Sequence, residues 1–502
     1  MKSVIEYLDN SAQRFPDKVA YSDDKTEITF SSLSEAVNSI GSNLYSSLHA
    51  RNTPIVVLVD RDVNSVIAML GVAASGNFYV PVSIDQPSDR LQTIFEQVKP
   101  AAIVIPSKES GASAFMPESV PLFYGDELKN LPADHSILQA IRKESLDTDP
   151  LFAICTSGST GVPKAVVKSH RSVLEFIPSF AEIFGFTSDE VFGNQAPFEF
   201  DVSTKDIYTT LYCGASAFII PKSCFTMPKK LATALDEKNV TALVWAVSAL
   251  CVVSGLKAFK HTKPARIQKV LFSGEVMPIK HLNVWREYYP DALFVNLYGP
   301  TESTGNCMYY AVDREFETDE TLPLGIHFPN SNILVLNEEH KPIKPGEIGE
   351  IYIRGTSLAL GYYRDPKRTA EAFVQNPLNS CYPEIVYRTG DLATLDETGE
   401  YRFAARRDFQ IKHMGHRIEL EELEMHINSI DGIGRSCCVY NAASKKIICY
   451  YEGALTAKEI IGELNAKLPK YMIPNRFESL DALPTTPNGK LDRRKMQALA
   501  GA

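Results

Sequence analysis

The sequence predicts a layered α/β fold in which buried parallel strands alternate with helices. Three short apolar runs rich in β-branched residues indicate such strands, at residues 54–59, 101–105 and 151–155. Continuous apolar runs of this length are typical of parallel strands that are covered on both faces. Segments with apolar residues at helical spacing lie between them, and alternation over hundreds of residues implies stacked layers.

A β-rich subdomain is expected to follow from about residue 315. Short strands separated by glycine and proline take over there, as at residues 332–336 and 349–353. The chain has 502 residues, which exceeds what a single hydrophobic core usually serves. We therefore expect at least two domains, with a large N-terminal domain that combines layered α/β subdomains and the β-rich subdomain.

A small α+β domain is expected at the C-terminal end, after a boundary within residues 405–410. Its first helix carries four apolar residues on one face, Leu420, Leu423, Ile427 and Ile430. A later helix is predicted to start at Thr456, because Glu459 completes a capping box. The same spacing of Ser32 and Glu35 predicts a helix start early in the chain.

Composition and charge exclude several classes of function. The net charge of -10 argues against a nucleic-acid surface, which needs clustered Lys and Arg. No apolar stretch reaches the roughly 18 residues of a membrane span. Glu6 and Asp9 interrupt the N-terminal segment, so a cytoplasmic protein without a signal peptide is expected. The nine cysteines lack metal-ligand spacing and are expected to be buried, reduced thiols.

The clearest motif is a loop at residues 156–164, TSGSTGVPK, which follows a predicted strand. Its hydroxyls and glycines can present several donors to phosphate oxygens, and Lys164 adds positive charge. The pattern is not a P-loop, because Gly158 and Gly161 are too close together and Pro163 precedes the lysine. A generic Ser/Gly-rich loop is more often a flexible turn, so the assignment depends on the complete string.

This string resembles the signature of the adenylate-forming superfamily, which contains acyl-CoA synthetases, luciferases and the adenylation domains of nonribosomal peptide synthetases. Four further strings resemble motifs of the same family, in its order: NLYGPTE at 296–302, YRTGD at 387–391, RRDFQIK at 406–412 and NGKLD at 488–492. The resemblance covers nearly the whole chain. It implies activation of a carboxylate by ATP and Mg²⁺, with release of pyrophosphate, followed by transfer of the acyl group to a thiol.

By this resemblance, the five motifs together would bind ATP. The residues concerned are Thr156, Ser157, Gly158, Ser159, Thr160, Gly161, Lys164, Asn296, Tyr298, Gly299, Thr301, Asp391, Arg406 and Lys490. Tyr298 would offer a flat face to adenine, Asp391 would accept hydrogen bonds from the ribose hydroxyls, and Arg406 would contact ribose or phosphate. Glu302 would hold Mg²⁺, a role that suits an oxygen ligand.

The resemblance also implies that the C-terminal domain is mobile and rotates at Asp408. One orientation would bring Lys490 to the substrate carboxylate and the α-phosphate. The other would present Gly415, where a glycine leaves a narrow passage for a thiol-bearing arm. The expected organisation is a core over 1–404, a hinge over 405–409 and a mobile domain over 410–502.

Asp201, in the string FDVS, resembles the residue that binds the α-ammonium group in amino-acid-activating members. Activators of aryl and fatty acids generally lack an aspartate there, so an α-amino acid is the expected substrate. The alternative is an aspartate that caps a helix. By position, the substrate pocket would comprise Asp201, Val202, Lys205, Val244, Leu271, Ser273, Leu297, Gly305 and Asn306.

Two interpretations of the substrate side chain stay open. The strings QAPF at 195–198 and FQIKHMGHR at 409–417 resemble stand-alone D-alanine–carrier protein ligases, which load D-alanine for teichoic acids, and no carrier domain is expected after residue 502. Against D-alanine, Lys205 would place a charge in a small apolar pocket, and Ser273 stands where such ligases have cysteine. An inward Lys205 would pair with a polar or acidic substrate side chain, whereas an outward one would be a surface lysine.

The expected function is therefore activation of an amino acid and its transfer to the phosphopantetheine thiol of a separate carrier protein. An acyl-CoA synthetase or an aryl-acid activator is one alternative, against which Asp201 argues. A non-catalytic binding protein is another, and the presence of Glu302, Asp391 and Lys490 argues against it.

Overall fold

Helices and strands alternate along most of the chain in the computed structural model, which describes residues 1–110, 116–117, 119–158, 163–260, 262–485 and 491–501. The helices are α1 (Ile5–Arg14), α2 (Phe30–Leu48), α3 (Val63–Ala74), α4 (Ser88–Val98), α5 (Gly125–Leu128), α6 (His135–Glu144), α7 (His170–Ile183), α8 (Ser203–Cys213), α9 (Lys222–Thr226), α10 (Pro228–Glu237), α11 (Val247–Gly255), α12 (Ile279–Tyr288), α13 (Pro366–Ala372), α14 (Leu420–Asn428), α15 (Ala457–Lys467) and α16 (Arg493–Leu499).

The strands are β1 (Val19–Ser22), β2 (Glu27–Thr29), β3 (Pro54–Val59), β4 (Phe78–Ser83), β5 (Ala102–Ile105), β6 (Leu122–Tyr124), β7 (Pro150–Thr156), β8 (Lys164–Ser169), β9 (Val191–Asn194), β10 (Ser216–Ile219), β11 (Ala242–Ala246), β12 (Lys269–Ser273), β13 (Leu293–Tyr298), β14 (Met308–Ala311), β15 (Ile326–His327), β16 (Ser331–Leu336), β17 (Ile348–Gly355), β18 (Gly361–Tyr362), β19 (Phe373–Gln375), β20 (Ile385–Leu395), β21 (Tyr401–Arg406), β22 (Gln410–His413), β23 (His416–Glu419), β24 (Ile433–Asn441), β25 (Lys446–Gly453) and β26 (Arg476–Ser479).

Two large sheets carry the layered part of the fold. One has the strand order β15-β14-β13-β12-β11-β9-β10-β1-β2, and the other has the order β18-β8-β7-β4-β3-β5-β6. Every residue of β3 is buried, and β3 pairs in parallel with β4 on one side and β5 on the other. The predicted class of layered α/β structure with buried parallel strands is therefore confirmed.

The β-rich subdomain is also present. An antiparallel sheet runs in the order β16-β17-β20-β19, and β21 pairs with β20. Its first strand begins at Ser331, and its apolar side chains pack with Tyr298 and Val166 in one core cluster.

The chain divides into two compact units. The first contains Met1–Ile84, Pro100–Ile154 and Ala165–Arg407, and the second contains Asp85–Lys99, Cys155–Lys164 and Asp408–Ala502. The last segment of the second unit thus begins at Asp408, the predicted hinge residue. Two segments that the sequence assigned to the N-terminal core, 85–99 and 155–164, group instead with the second unit. Rotation at the hinge stays a prediction.

The C-terminal segment of the second unit combines α14 and α15 with the three-stranded sheet β24-β25-β26. The predicted apolar face of α14 is buried, with Leu423 and Ile427 both 0% exposed. The capping box at Thr456 is confirmed, since its side chain and that of Glu459 each accept from the other residue's backbone N–H.

The predicted helix start at Ser32 is wrong. Helix α2 begins at Phe30, and the hydroxyl of Thr29 accepts a hydrogen bond from the Ser32 backbone N–H. Thr29 has an extended backbone, as a capping residue requires, so it takes the role that the sequence pattern assigned to Ser32.

All nine cysteines are free thiols. Five are buried, but Cys381 is exposed, so the expectation of buried thiols is wrong at that position. Cys381 follows β19 in a surface loop, where no apolar layer covers it. Within the described ranges, the helices are all too short or too polar to cross a membrane.

Replacing Gly214 with alanine is expected to lower the thermal unfolding midpoint more than replacing Gly185. Both residues have positive φ angles, +69° and +62°, which cost an L-residue about 1–2 kcal/mol. A Cβ on Gly214 would also lie 2.3 Å from the Phe15 ring, whereas one on Gly185 would have no heavy atom within 4 Å. Differential scanning fluorimetry of Gly214→Ala and Gly185→Ala measures the difference. Equal midpoints would mean that Phe15 moves aside without cost.

Candidate functional site

Strands β20 and β21 bring two predicted site residues together, because Asp391 and Arg406 are directly opposite each other in the antiparallel ladder. Nη1 of Arg406 forms an ion pair with Oδ1 of Asp391, and Nη2 donates to the Thr389 carbonyl at 3.2 Å. Tyr298, the last residue of β13, donates its hydroxyl to Oδ2 of Asp391 at 2.6 Å. The Asp391 carboxylate therefore has a partner at each oxygen.

Burial keeps the Tyr298 hydroxyl protonated. The pKa of Tyr298 is raised well above its usual range, first by burial and then by the nearby charge of Asp391. The phenol therefore stays a hydrogen-bond donor across the physiological pH range. Three of the predicted nucleotide-binding residues, Tyr298, Asp391 and Arg406, form one ordered cluster.

Other predicted nucleotide residues after β13 have different surroundings. The side-chain amide of Asn296 donates to the Pro323 carbonyl at 2.9 Å, a contact within the protein itself. A Cβ on Gly299 would lie 2.9 Å from the Asn306 backbone, so only glycine fits there without a shift. Thr301 is half-buried.

Glu302 is fully buried, and its orientation is set by a residue that the sequence analysis missed. The hydroxyl of Tyr362 donates to Oε1 of Glu302 at 2.7 Å. Tyr362 lies in the two-residue strand β18, opposite Val166 of β8. No local pattern in the sequence marks so short a strand, so only the pairing of β18 with β8 reveals this contact.

The donor type and the fixed orientation of Glu302 fit a magnesium ion. Mg²⁺ prefers oxygen ligands and often takes only one or two protein carboxylates, with phosphate oxygens and water completing its shell. Within the described ranges, no group of three or more His, Cys, Asp or Glu side chains converges as a metal cluster. An ion held by Glu302 would therefore depend on phosphate oxygens for the rest of its ligands.

Four of the predicted pocket residues share one face of the nine-stranded sheet. Val244 is in register with Leu271, and Ser273 is in register with Leu297. Leu271 and Ser273 are two residues apart in β12, so they point to the same side. All four are buried, so the sheet register places them on one buried face, and their role in binding a substrate stays a prediction.

Helix α8 carries Lys205, the charged residue of the predicted pocket. Lys205 is 0% exposed, and its Nζ donates to Oδ1 of Asn306 at 2.6 Å. The alternative of an outward surface lysine is therefore wrong. Val202 rather than Asp201 occupies the position that caps α8, and α8 has no side-chain cap, so the helix-cap interpretation of Asp201 is also wrong.

Gly305 is required where the chain turns into Asn306. Its φ is +69°, and a Cβ there would lie 2.3 Å from the Phe176 ring. A side chain at this position would force the aromatic ring or the backbone to move, and with it the amide that accepts from Lys205.

Two buried lysines carry charge next to Asp201. Burial lowers the pKa of Lys205 to about 8, and the charges of Asp201 and Asp206 oppose this shift. Burial likewise lowers the pKa of Lys168 to about 8, against the charges of Asp201 and Glu302. Lys168 was not singled out in the sequence, because a lysine near the end of an apolar strand resembles an ordinary boundary residue.

The loop at residues 156–164, which is predicted to bind phosphate, belongs to the second unit. Thr156 and Lys164 are largely buried, and the Thr156 hydroxyl has no hydrogen-bond partner among the residues that the structure describes. The Ser157 hydroxyl donates to the Arg417 carbonyl at 2.8 Å, and Gly158 is buried. The remaining predicted residues, Ser159, Thr160, Gly161 and Lys490, lie outside the described residues.

Gly415 occupies the turn between β22 and β23. Met414 and Gly415 have φ angles of +53° and +80°, the pattern of a tight two-residue hairpin turn. Met414 is exposed at this tip. Asp408 accepts a hydrogen bond from the Gln410 backbone N–H at 3.3 Å, just before the hairpin begins.

Known proteins resemble this chain along its whole length. Zwittermicin A synthase ZmaJ from Bacillus cereus is 30% identical over 526 residues, which cover 100% of this chain and 96% of that protein. A D-alanine--D-alanyl carrier protein ligase from Bacillus cereus (strain G9842) is 30% identical, with 98% of each chain covered. Bacitracin synthase 1 from Bacillus licheniformis is 29% identical across 99% of this chain, which spans only 9% of that synthase.

Solved structures share the fold. The structure of holo-PA1221, an NRPS protein containing adenylation and PCP domains, has a TM-score of 0.83 at 24% identity and covers 99% of this chain and 84% of that one. The crystal structure of IdnL1 has a TM-score of 0.80 at 27% identity, covering 96% of this chain and 98% of that one.

The family model described as AMP-binding enzyme matches residues 8–363, a range that contains the pocket residues, Tyr298 and Glu302. This match covers well over half of the chain. The protein belongs to the AMP-binding enzyme family.

Proposed function

We propose that the protein uses ATP to activate an amino acid as an aminoacyl adenylate and then transfers it to the phosphopantetheine thiol of a separate carrier protein. The observation that carries this proposal is the buried carboxylate of Asp391, which Tyr298 and Arg406 hold from both sides. A carboxylate fixed in this way is suited to accept hydrogen bonds from the two hydroxyls of a ribose.

In the first step, an oxygen of the substrate carboxylate attacks the α-phosphorus of ATP, and the bond from that phosphorus to pyrophosphate breaks. The leaving pyrophosphate takes the electron pair. Because both reactants are anions, the site must supply positive charge and alignment. Lys164 and Lys490 would supply charge, and Asp391 would fix the nucleotide. Mg²⁺ held by Glu302 would neutralise charge on the phosphates.

In the second step, the carrier thiol attacks the acyl carbon and loses its proton to solvent, while the bond to AMP breaks. Relatives that are named as carrier protein ligases support a partner of this kind, as do NRPS structures with adenylation and PCP domains. Gly415, at the tip of a tight hairpin, would leave room for the thiol-bearing arm. A cytoplasmic location, where ATP is available, belongs to the same proposal.

Asp201 would bind the α-ammonium group, and the substrate side chain would be polar or acidic. Lys205 carries a fully buried ammonium group, and Val244 and Leu271 of the predicted pocket are buried as well. The carboxylates of Asp201 and Asp206 act on this ammonium group, and Asn306 accepts its hydrogen bond. A methyl group placed beside it would offer its other N–H donors no partner, which is costly in a buried site. A carboxylate or amide on the substrate would provide that partner, with Asn306 as the second polar contact.

D-alanine is the competing substrate. Relatives with about the same identity to this chain are named as D-alanine--D-alanyl carrier protein ligases. At 30% identity, the side chains of the pocket can differ while the nucleotide motifs persist. Lys205 is the feature that favours a polar substrate over D-alanine.

Pyrophosphate exchange with a panel of amino acids should identify a polar or acidic substrate. The panel contains both enantiomers of alanine, serine, aspartate and glutamate. With Lys205→Met, exchange with the preferred acid should fall by about tenfold or more, since a charge-assisted contact contributes about 1.5–3 kcal/mol. Exchange with D-alanine alone would overturn the side-chain assignment. No exchange with any amino acid would overturn the proposed function.

Replacing Asp391 with asparagine should weaken ATP binding by about tenfold or more, because the ribose and Arg406 lose a charged acceptor. Isothermal titration with a non-hydrolysable ATP analogue measures the change. Glu339→Gln is the matched control, since the Glu339 side chain is 72% exposed and lies in a surface ion pair. Unchanged affinity in Asp391→Asn would refute the ribose assignment.

Replacing Lys490 with alanine should abolish adenylation, by several powers of ten in rate, but leave transfer from a preformed adenylate largely intact. Pyrophosphate exchange and single-turnover thiol transfer measure the two steps separately. Lys495→Ala is the matched control, because the Lys495 side chain lies in the same segment and is 67% exposed. Equal loss in both steps would contradict the division of roles.

A further inference from the structure

Lys168 lies near the end of β8, on the face of that strand that looks into the core of the first unit. Val166 precedes it by two residues, so both side chains leave the strand on the same side. Val166 packs in a cluster with Tyr298 and Tyr362. Tyr362 in turn donates to Glu302, so this face of β8 looks toward the Glu302 carboxylate.

The amine of Lys168 lacks the partners that a buried lysine requires. The side chain is 0% exposed. Its Nζ has no hydrogen-bond partner within the described ranges. Lys205, equally buried, does have one, the Asn306 amide oxygen at 2.6 Å. Leaving a buried polar group without hydrogen bonds costs free energy, and an ammonium group costs more than a neutral one. A hydrogen-bond acceptor other than the described residues would relieve this cost.

The charges nearby restrict what that partner is. The pKa of Lys168 responds to two carboxylates, Asp201 and Glu302, so its amine lies within electrostatic reach of both. Under the proposed function, Asp201 takes the α-ammonium group of the substrate and Glu302 takes Mg²⁺. Both of those partners are cations, so the two carboxylates would already be paired when substrate and Mg²⁺ are bound. The ammonium group of Lys168 would be a third cation in this region and would need an anion of its own.

An α-amino acid supplies such an anion in the right place. Its carboxylate is attached to the same carbon as its ammonium group, so an ammonium group held by Asp201 brings the carboxylate close to Asp201. The same carboxylate must approach the α-phosphate, and with it the ion held by Glu302. The region within reach of both Asp201 and Glu302 is the region where Lys168 presents its unsatisfied amine.

We infer that Lys168 binds the α-carboxylate of the amino acid and positions it for attack on the α-phosphate, an inference that rests on the proposed function. In this role, Lys168 donates to the carboxylate oxygen that does not attack. The substrate thereby supplies the hydrogen-bond acceptor that the amine lacks among the described residues. Because the amine is enclosed by protein, this contact is stronger than it would be in water.

A purely structural role is the competing explanation, with Lys168 serving only as a counter-ion to Asp201 and Glu302. The two roles differ in what they require of the ligand. A counter-ion affects every ligand of the site similarly, through the fold and through the net charge. A carboxylate-binding lysine affects only ligands that carry the carboxylate.

The test compares an amino acid with its amino alcohol, in which the α-carboxylate is reduced to a neutral hydroxymethyl group. The probes are the acid that scores highest in the exchange panel and its alcohol, for example alanine with alaninol. Lys168→Met keeps the length of the side chain and removes the charge. Its Kd for the acid should rise about ten- to a hundredfold, while its Kd for the alcohol changes less than about threefold. Binding of ATP with Mg²⁺ should stay within the same threefold.

Val173→Ala serves as the control for a simple packing defect. Val173 is buried in α7, shortly after β8, and its truncation lowers stability without removing a charge. This variant should lower the melting temperature without separating acid from alcohol. In Lys168→Met, equal weakening of acid and alcohol, or an unchanged Kd for the acid, would overturn the assignment of Lys168 while the wild-type exchange reaction still supports the proposed function. A wild-type protein that exchanges with no amino acid would overturn both.

Discussion

The candidate site of the first unit depends on one constraint, that its buried charges must be compensated. A buried charge is tolerated only when an opposite charge or a set of hydrogen bonds compensates it. Asp391 meets this condition within the chain, since Tyr298 and Arg406 occupy its two oxygens. Lys205 has one amide oxygen as an acceptor, together with the charges of Asp201 and Asp206. Lys168 has the charges of Asp201 and Glu302 but no hydrogen-bond partner within the described residues. Asp391 is therefore held by the fold itself, whereas Lys168 would gain a hydrogen-bond partner from the proposed substrate.

The sheet explains how such charges come to lie among apolar residues. Three neighbouring strands, β11, β12 and β13, have a parallel register that aligns Val244, Leu271 and Leu297 of the predicted pocket on one face. Ser273 and Tyr298 are the last residues of their strands, and ligands of open α/β sheets usually bind beyond the carboxyl ends of the strands. The strands therefore supply a rigid apolar floor, and the polar side chains follow where the strands end.

The relatives and the pocket bear on different parts of the function. Nucleotide binding is predicted to depend on motifs that resemble those of the family, and three of the predicted side chains, Tyr298, Asp391 and Arg406, form one hydrogen-bonded cluster. Substrate choice would depend on the predicted pocket residues of one sheet face and helix α8, where the ammonium group of Lys205 would favour a polar side chain. A relative with 30% identity can thus share the reaction and differ in the acid that it activates. Lys205 is the residue that favours a polar substrate in this protein, in contrast to the D-alanine in the names of those relatives.

Local patterns in the sequence determined the buried parallel strand at residues 54–59, the apolar face of α14 and the capping box at Thr456, because each depends on residues close together in the chain. The sequence motifs also predicted which side chains would bind the nucleotide, among them Tyr298, Asp391 and Arg406. The start of α2 was misplaced at Ser32, since Thr29 and Ser32 are similar capping residues and only the backbone conformation distinguishes them.

Tertiary structure decided the rest. Two of the contacts at the site join segments that are far apart in the chain, Lys205 with Asn306 and Tyr362 with Glu302. The same packing buries the Lys168 amine without a hydrogen-bond partner among the described residues. Strand register and helix packing set those contacts, and no spacing along the sequence encodes them. The sequence alone therefore indicated a nucleotide site and an amino-acid substrate, whereas the charge balance around that substrate emerged only when the strands were paired.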